Sequence, residues 1–288
     1  MAISVPVIWG MGFVVAKDAM SHFSPILLMA LRFTLTAFVL IFAYRPPIHL
    51  YKNLFWIALV SAAIQYSLTF NGVNGIDAST AALLVQLEVP FGLLMAWLLL
   101  GEKITLRQLL GILVAFAGAT MILGEPKLEG RLIYAFLVIG GAFTWAIGQV
   151  MIKKTNVADG FMLITGVAIF AAPQLFIASA IFESNQLEQI RSASGVVWLE
   201  VVYLGIVMTA VGYAIWYQLI GLYSVNRVMP YLLLLPFVSV LGGMLFLGET
   251  LTFKIILGGA LAILGVAIIT VQFSQVEKRE TRPEREAN

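Results

Sequence analysis

The chain has 288 residues, of which 61% are hydrophobic and only 11% charged, with a formal net charge of +2 and no cysteine. A soluble domain keeps its surface wet with about 25% charged residues, so the excess apolar surface, at a mean hydropathy of +0.98, has to be solvated by lipid. Disulfides and thiol chemistry are excluded, and the small net charge gives no sign of a nucleic-acid partner.

Charged or Pro/Gly-rich breaks divide the chain into ten apolar segments, roughly 2–20, 26–44, 53–72, 78–100, 106–124, 131–152, 160–182, 196–221, 225–247 and 252–272. Each approaches the ~20 residues that a helical span needs, and runs without alternation exclude a transmembrane barrel. The first segment carries Trp9, Gly12, Phe13 and Lys17, and its apolar run lacks the basic flank of a cleavable signal peptide. Met1 stands so close to Trp9 that the first helix has almost no flank, as expected of a misassigned start or a trimmed N terminus. Arg32 falls about two turns into the second segment, and Gln65, Asn71 and Asn74 fall in the third. The fourth holds Gln86, Glu88 and Pro90 and ends in Leu100-Gly101-Glu102; the fifth holds Gly111 and Gly118. The sixth carries Trp145, Gly148, Gln149 and Lys153. A polar connection, Glu183–Gly195, follows the seventh; the eighth carries Tyr213, Trp216 and Tyr217. The ninth holds Arg227, Pro230 and Pro236 and ends in Leu247-Gly248-Glu249, and the tenth holds Gly258 and Gly265. Residues 273–288 form a mixed-charge tail expected to be disordered.

The order of these residues repeats. Leu-Gly-Glu, a threonine three residues on and two trailing glycines return 147 residues later, and Trp9 … Lys17 returns as Trp145 … Lys153. The chain therefore reads as two five-helix repeats, 1–124 and 125–272. Five is odd, so the second copy is expected to enter the membrane upside down relative to the first. Such inverted repeats support two packings, open to either side, the basis of alternating access. With the N terminus inside, eleven Lys and Arg flank cytoplasmic segment ends (Arg45, Lys52, Lys103, Arg107, Lys153, Lys154, Arg227 and four in the tail) against five outside (Lys17, Lys127, Arg131, Arg191 and Lys254). Both termini are expected in the cytoplasm.

Polar groups deep in hydrocarbon are costly and face a cavity or a partner. Glu88, in mid-helix, can meet a substrate ammonium or take up a coupling proton; the alternative is a protonated or Arg-paired structural group. Pro90 and Pro236, with Pro230, interrupt helices at matched places and are candidate hinges, or packing features alone. Trp9, Trp145, Tyr213 and Trp216 share helix faces suited to a cavity wall or to helix packing. Gln65, Asn71, Gln86 and Gln149 can hydrogen-bond a solute or a neighbouring helix. Arg227 is a candidate for a substrate carboxylate; for it, and for Arg32, snorkelling to the interface is the competing reading. Glu102, Glu249 and the trailing glycines read as structural, through turns, caps and close helix contact. No nucleophile–base set, histidine cluster or phosphate-cradling loop appears, so neither ATP, a metal nor another cofactor is expected.

Trp9-Gly10-x-Gly12-Phe13-Val14-Val15-x-Lys17, Leu31-Arg32-Phe33, Pro90 … Leu100-Gly101-Glu102 and the second copy resemble the drug/metabolite transporter superfamily of the EamA type, over essentially residues 1–272. Gln65, Gln86, Trp145-Ala146-x-Gly148, Lys153-Lys154, Val211-Gly212-Tyr213-x-Ile215-Trp216 and Arg227-Val228-x-Pro230 are similar to bacterial exporters of O-acetylserine and cysteine. The resemblance departs at Glu88, where those exporters have an amide, and at Pro90, which they lack. It implies a ten-helix inner-membrane protein exporting small metabolites without ATP. The expectation is a secondary exporter of an amino acid or related zwitterion, its cavity between helices one, three, four, six, eight and nine. Export of an aromatic or cationic solute is the close alternative, and a membrane-embedded lipid enzyme the distant one.

Overall fold

The computed structural model describes residues 3–155, 159–213, 215, 216, 219 and 229–271, and among these the chain is helical, without a strand. In chain order the helices are α1 (Ser4–Ala19), α2 (Pro25–Leu40), α3 (Ile48–Gly75), α4 (Ala78–Leu100), α5 (Leu106–Leu123), α6 (Leu132–Lys154) and α7 (Gly160–Phe182). They continue with a short α8 (Gln186–Ser192), then α9 (Gly195–Val211), α10 (Tyr231–Phe246) and α11 (Phe253–Val271). Six of them, α3 to α7 and α11, are long and apolar enough to cross a membrane; α8 and α9, bent by 108°, count as a seventh span if taken together. Helical spans suit hydrocarbon because every backbone N–H and C=O finds its partner within the segment. The protein is a multi-spanning membrane protein.

The termini of these helices are tied by side chains, two of them from far along the chain. Thr105 and Gln108 form a capping box at the start of α5, and Asp159 accepts from the N–H groups of Phe161 and Met162 at 2.9 and 3.1 Å at the start of α7. Glu183, just past α7, accepts from the N–H groups of Ile26 and Leu27 at 2.7 and 2.9 Å and so caps α2. Glu249, just past α10, does the same for α4 through Ala78 and Ser79 at 2.6 and 3.0 Å. The connection 183–195 is therefore more than an inserted loop: it contains α8 and begins with a cap.

Glycines set the closest helix contacts. On α5 and α11, Gly111 lies against Gly265 and Gly118 against Gly258, so the two helices run antiparallel. A Cβ on Gly118 would stand 2.5 Å from the Gly258 carbonyl, and one on Gly258 2.8 Å from the Gly118 carbonyl. Gly12 of α1 packs on Met208 of α9, and Gly148 of α6 packs on Ser61 of α3. Ser61 and Met208 both sit in π-helical stretches, Leu59–Ile64 and Tyr203–Val211. A π turn inserts a residue and frees backbone groups; one of them, the Met208 carbonyl, accepts from the Trp9 indole N–H at 3.1 Å.

Candidate functional site

The helices enclose a cavity of about 330 Å³, within the range of small-molecule sites. It is mostly apolar and aromatic, with Trp9 and Phe13 from α1, Tyr66 and Phe70 from α3, Trp145 from α6, and Tyr213 beyond α9. Its lining includes Val266, Ile269 and Thr270, from the last two turns of α11. The Glu249 cap lies just before the first turn of that helix, so along α11 the cavity and the cap lie at opposite ends.

Local backbone breaks place the polar groups. The first half of α4 ends at Val85, Gln86 and Leu87 form a turn, and Glu88 opens the second half with Pro90 as its third residue. In α10 a 3-10 turn over Met229–Leu233 leads into Leu234–Phe246, again with proline third, at Pro236. Leu87 and Leu233 hold nearly the same backbone angles, φ −64° and ψ −11° against φ −61° and ψ −17°. The absent proline N–H removes a hydrogen bond at each break. One consequence is that Gln86 and Glu88 both reach the cavity. No described residue hydrogen-bonds or ion-pairs the Glu88 carboxylate. Gln65 donates through Nε2 to Thr69 Oγ1 at 3.0 Å, while its Oε1 is buried without a partner.

Of the residues singled out from sequence, Trp9, Gln65, Gln86, Glu88, Trp145, Gln149 and Tyr213 converge on the cavity. Asn71 does not: its amide donates to the Ser67 carbonyl one turn back at 2.7 Å, and it lines no part of the space. Trp216 is also a correction. It is buried with Val5 and Leu219 behind Trp9, their ring centroids 5.8 Å apart, and braces the wall instead of forming it. Arg227 and Tyr217 lie outside the described residues, and Pro230 lies in the 3-10 turn at the start of α10. Helices α2 and α11 join the expected set through Arg32 and Thr270. Sequence reading missed Tyr66 and Thr69, whose i, i+3 and i+4 spacing with Gln65 and Phe70 was the available signal. Arg32, for which snorkelling was the competing reading, is fully buried within the protein.

Residues 1–124 and 132–271 each match the EamA-like transporter family. A probable amino-acid metabolite efflux pump of Escherichia coli is 33% identical over 280 residues, with 93% of each chain covered. A protein of the same description from Salmonella typhimurium is 31% identical, again over 93% of each chain. A probable terminal-alkyne amino-acid exporter of Streptantibioticus cattleyicolor is 27% identical, covering 76% of this chain and 73% of its own. A crystal structure 18% identical in sequence shares the fold, with a TM-score of 0.66 over 96% of this chain and 98% of that one. The chain belongs to the EamA-like transporter family.

Proposed function

We propose that the protein is a bacterial inner-membrane secondary transporter that exports an amino acid or a related small zwitterion by alternating access. The observation that carries this reading is a carboxylate that no described residue pairs with, Glu88, at the wall of an aromatic cavity wide enough for such a solute. In this reading Glu88 meets the solute ammonium or takes up a proton, while Gln65, Gln86 and Gln149 hydrogen-bond the solute. The names of the similar efflux pumps point the same way.

The reading includes ten spans in two inverted repeats with both termini cytoplasmic. Two pairs of contacts support the inversion. Adding 147 to Gly111 and Gly118 gives Gly258 and Gly265, so the contact Gly111–Gly265 maps onto Gly258–Gly118, as a two-fold axis between antiparallel copies requires. Gly12–Met208 and Gly148–Ser61 are related in the same manner, with offsets of 136 and 147.

The aromatic lining favours a second reading, export of a cationic or aromatic solute, since rings beside one carboxylate also hold cations well. Counterflow of radiolabelled cysteine, O-acetylserine and tryptophan into liposomes, with and without a pH gradient, tests both. Flux of the small zwitterions that Glu88→Gln abolishes, or uncouples from the gradient, is the expected result. Flux confined to cationic or aromatic compounds selects the second reading, and wild-type rates in Glu88→Gln remove the role given to that carboxylate.

A further inference from the structure

Arg32 is the largest fully buried side chain of the described residues, at 0% exposure, on α2. Its guanidinium turns inward to the wall of the cavity. Nε donates to Thr209 Oγ1 at 2.7 Å, and one terminal nitrogen donates to the Tyr66 hydroxyl at 3.3 Å. The faces of Tyr66 and Phe33 lie 4.7 and 5.5 Å from its central carbon. Among the described residues no carboxylate pairs with it; their two ion pairs, Lys127–Asp77 and Lys153–Glu102, involve other groups. Guanidinium does not deprotonate in proteins, so this is a permanent cation held in low dielectric by neutral groups. Hydroxyls and ring faces offset part of its desolvation and leave an unmet demand for an anion.

The route by which that demand reaches the cavity is visible. The Tyr66 oxygen accepts from Arg32, which leaves its own proton for the Tyr213 hydroxyl or for the cavity. The Tyr213 hydroxyl is 3.4 Å away, and both rings line the cavity. The two tyrosines are 147 residues apart, the offset of the two Leu-Gly-Glu copies, and each follows a π-helical stretch of its own helix. What breaks the equivalence is the arginine: at the corresponding place on α7, 136 residues on, stands Ala168. One pole of the cavity thus presents a bonded pair of tyrosine hydroxyls backed by a fixed positive charge. Elsewhere on its wall are acceptors, the Glu88 carboxylate and the unpartnered Gln65 oxygen.

We infer that Arg32, through the Tyr66 and Tyr213 hydroxyls, makes this pole of the cavity a subsite for the carboxylate of the solute, so that free α-amino acids are selected over their esters and over simple amines. Arg32 acts as a positioning residue and the tyrosines make the contact. The inference rests on the cavity being the solute site.

The test compares L-cysteine, L-cysteine methyl ester and cysteamine, kept reduced, as stabilisers of the full-length protein in lipid nanodiscs, read by thermal melting. All three probes carry the amine and the thiol, and only the first carries a carboxylate. The expected result is protection by L-cysteine at about tenfold lower concentration than by either analogue. That ratio should fall to about twofold or less in Arg32→Gln and severalfold in Tyr66→Phe, because the hydroxyl that links Arg32 to the pair is lost. Tyr66→Phe keeps the ring and its volume, so it reports on the hydroxyl even if Arg32→Gln does not fold. L-cysteine protecting no better than its ester, or an unchanged ratio in both variants, overturns the inference. Counterflow in liposomes separates this from the transport reading. Acid-selective protection without flux leaves the subsite standing and removes transport of amino acids, whereas flux of acid and ester at equal rates does the reverse.

Discussion

Glu249 accepts a 2.6 Å hydrogen bond from the backbone N–H of Ala78, 171 residues earlier in the chain. The same carboxylate holds the N–H and the hydroxyl of Ser79, so the first turn of α4 is tied to the loop after α10. Two further ties lie beside it. Lys17 donates to the carbonyls of Val73, Asn74 and Ile76 at 2.7, 2.7 and 3.0 Å, closing the end of α3, and Lys127 pairs with Asp77 at 2.6 Å. Together they close the end of the bundle where α3 passes into α4.

A carboxylate at a helix N terminus is favoured by both the orphan N–H groups and the helix dipole. Glu249→Gln keeps the shape and removes the charge, and is expected to cost about 1–2 kcal/mol. Melting in detergent should show this as a drop of roughly 2–4 °C. An unchanged melting temperature would mean that the clamp adds nothing to stability.

The glycine contacts make a sharper prediction. A Cβ on Gly265 would stand 2.6 Å from the Gly111 carbonyl, with backbone, which cannot swing aside, as the obstacle. Gly265→Ala should destabilise by about 1–3 kcal/mol, the usual range for overpacking. Gly195→Ala, where an added Cβ meets nothing within 4 Å, is the matched control and should be neutral or slightly stabilising. Equal melting temperatures for the two variants would contradict the close approach of α5 and α11.

Trp145 and Asn71 separate residues that reach the cavity from one that does not. In counterflow, Trp145→Ala is expected to lose about tenfold or more in rate through the lost apolar wall. Asn71→Ala gives up a bond to its own helix and should stay within about twofold of wild type. The opposite ranking would move the solute site toward the Asn71 end of α3.

Trp9 has two roles that one substitution divides. Its ring packs against Tyr213, with centroids 4.9 Å apart, and its N–H satisfies the Met208 carbonyl in the π stretch of α9. Trp9→Phe keeps an aromatic ring and leaves that carbonyl without its donor, at an expected cost of about 1–3 kcal/mol. Circular dichroism melts should show the loss while the helical signal at low temperature is retained.

Much of the architecture was readable from residue order. Helix α7 spans 160–182 as expected, and the starts and ends of α1, α5 and α6 moved by no more than a few residues. Seven of the candidate site residues reached the cavity because polar and aromatic side chains within apolar segments have few other places to go. The misses have separate causes. Asn71 was offered only as a polar residue of its segment; six residues past Gln65, it lies about 120° round the helix from it and bonds its own backbone. Trp216 was assigned by its spacing from Tyr213, but its ring is taken up by Val5, Leu219 and Trp9. Arg32 was not assigned to the cavity for a third reason: a partner shell of Thr209, Tyr66 and Phe33, drawn from three helices, cannot be seen from α2 alone.

The sequence by itself determined that this chain lives in lipid, that it is built of apolar helices, and that its two halves carry one motif. Those properties follow from local composition, because about 20 apolar residues in a row are unstable in water and stable in hydrocarbon wherever they occur. Only the tertiary structure decided that Glu88, Gln65 and the Tyr66–Tyr213 pair face one cavity, that Glu183 and Glu249 cap helices over 150 residues away, and that Arg32 is buried with no carboxylate among the described residues paired to it. Those outcomes depend on how each helix is rotated about its axis and on which distant helix it meets. Rotation is set by close packing at Gly12, Gly118 and Gly148 and by the two π stretches, whose effects become fixed when the helices come together.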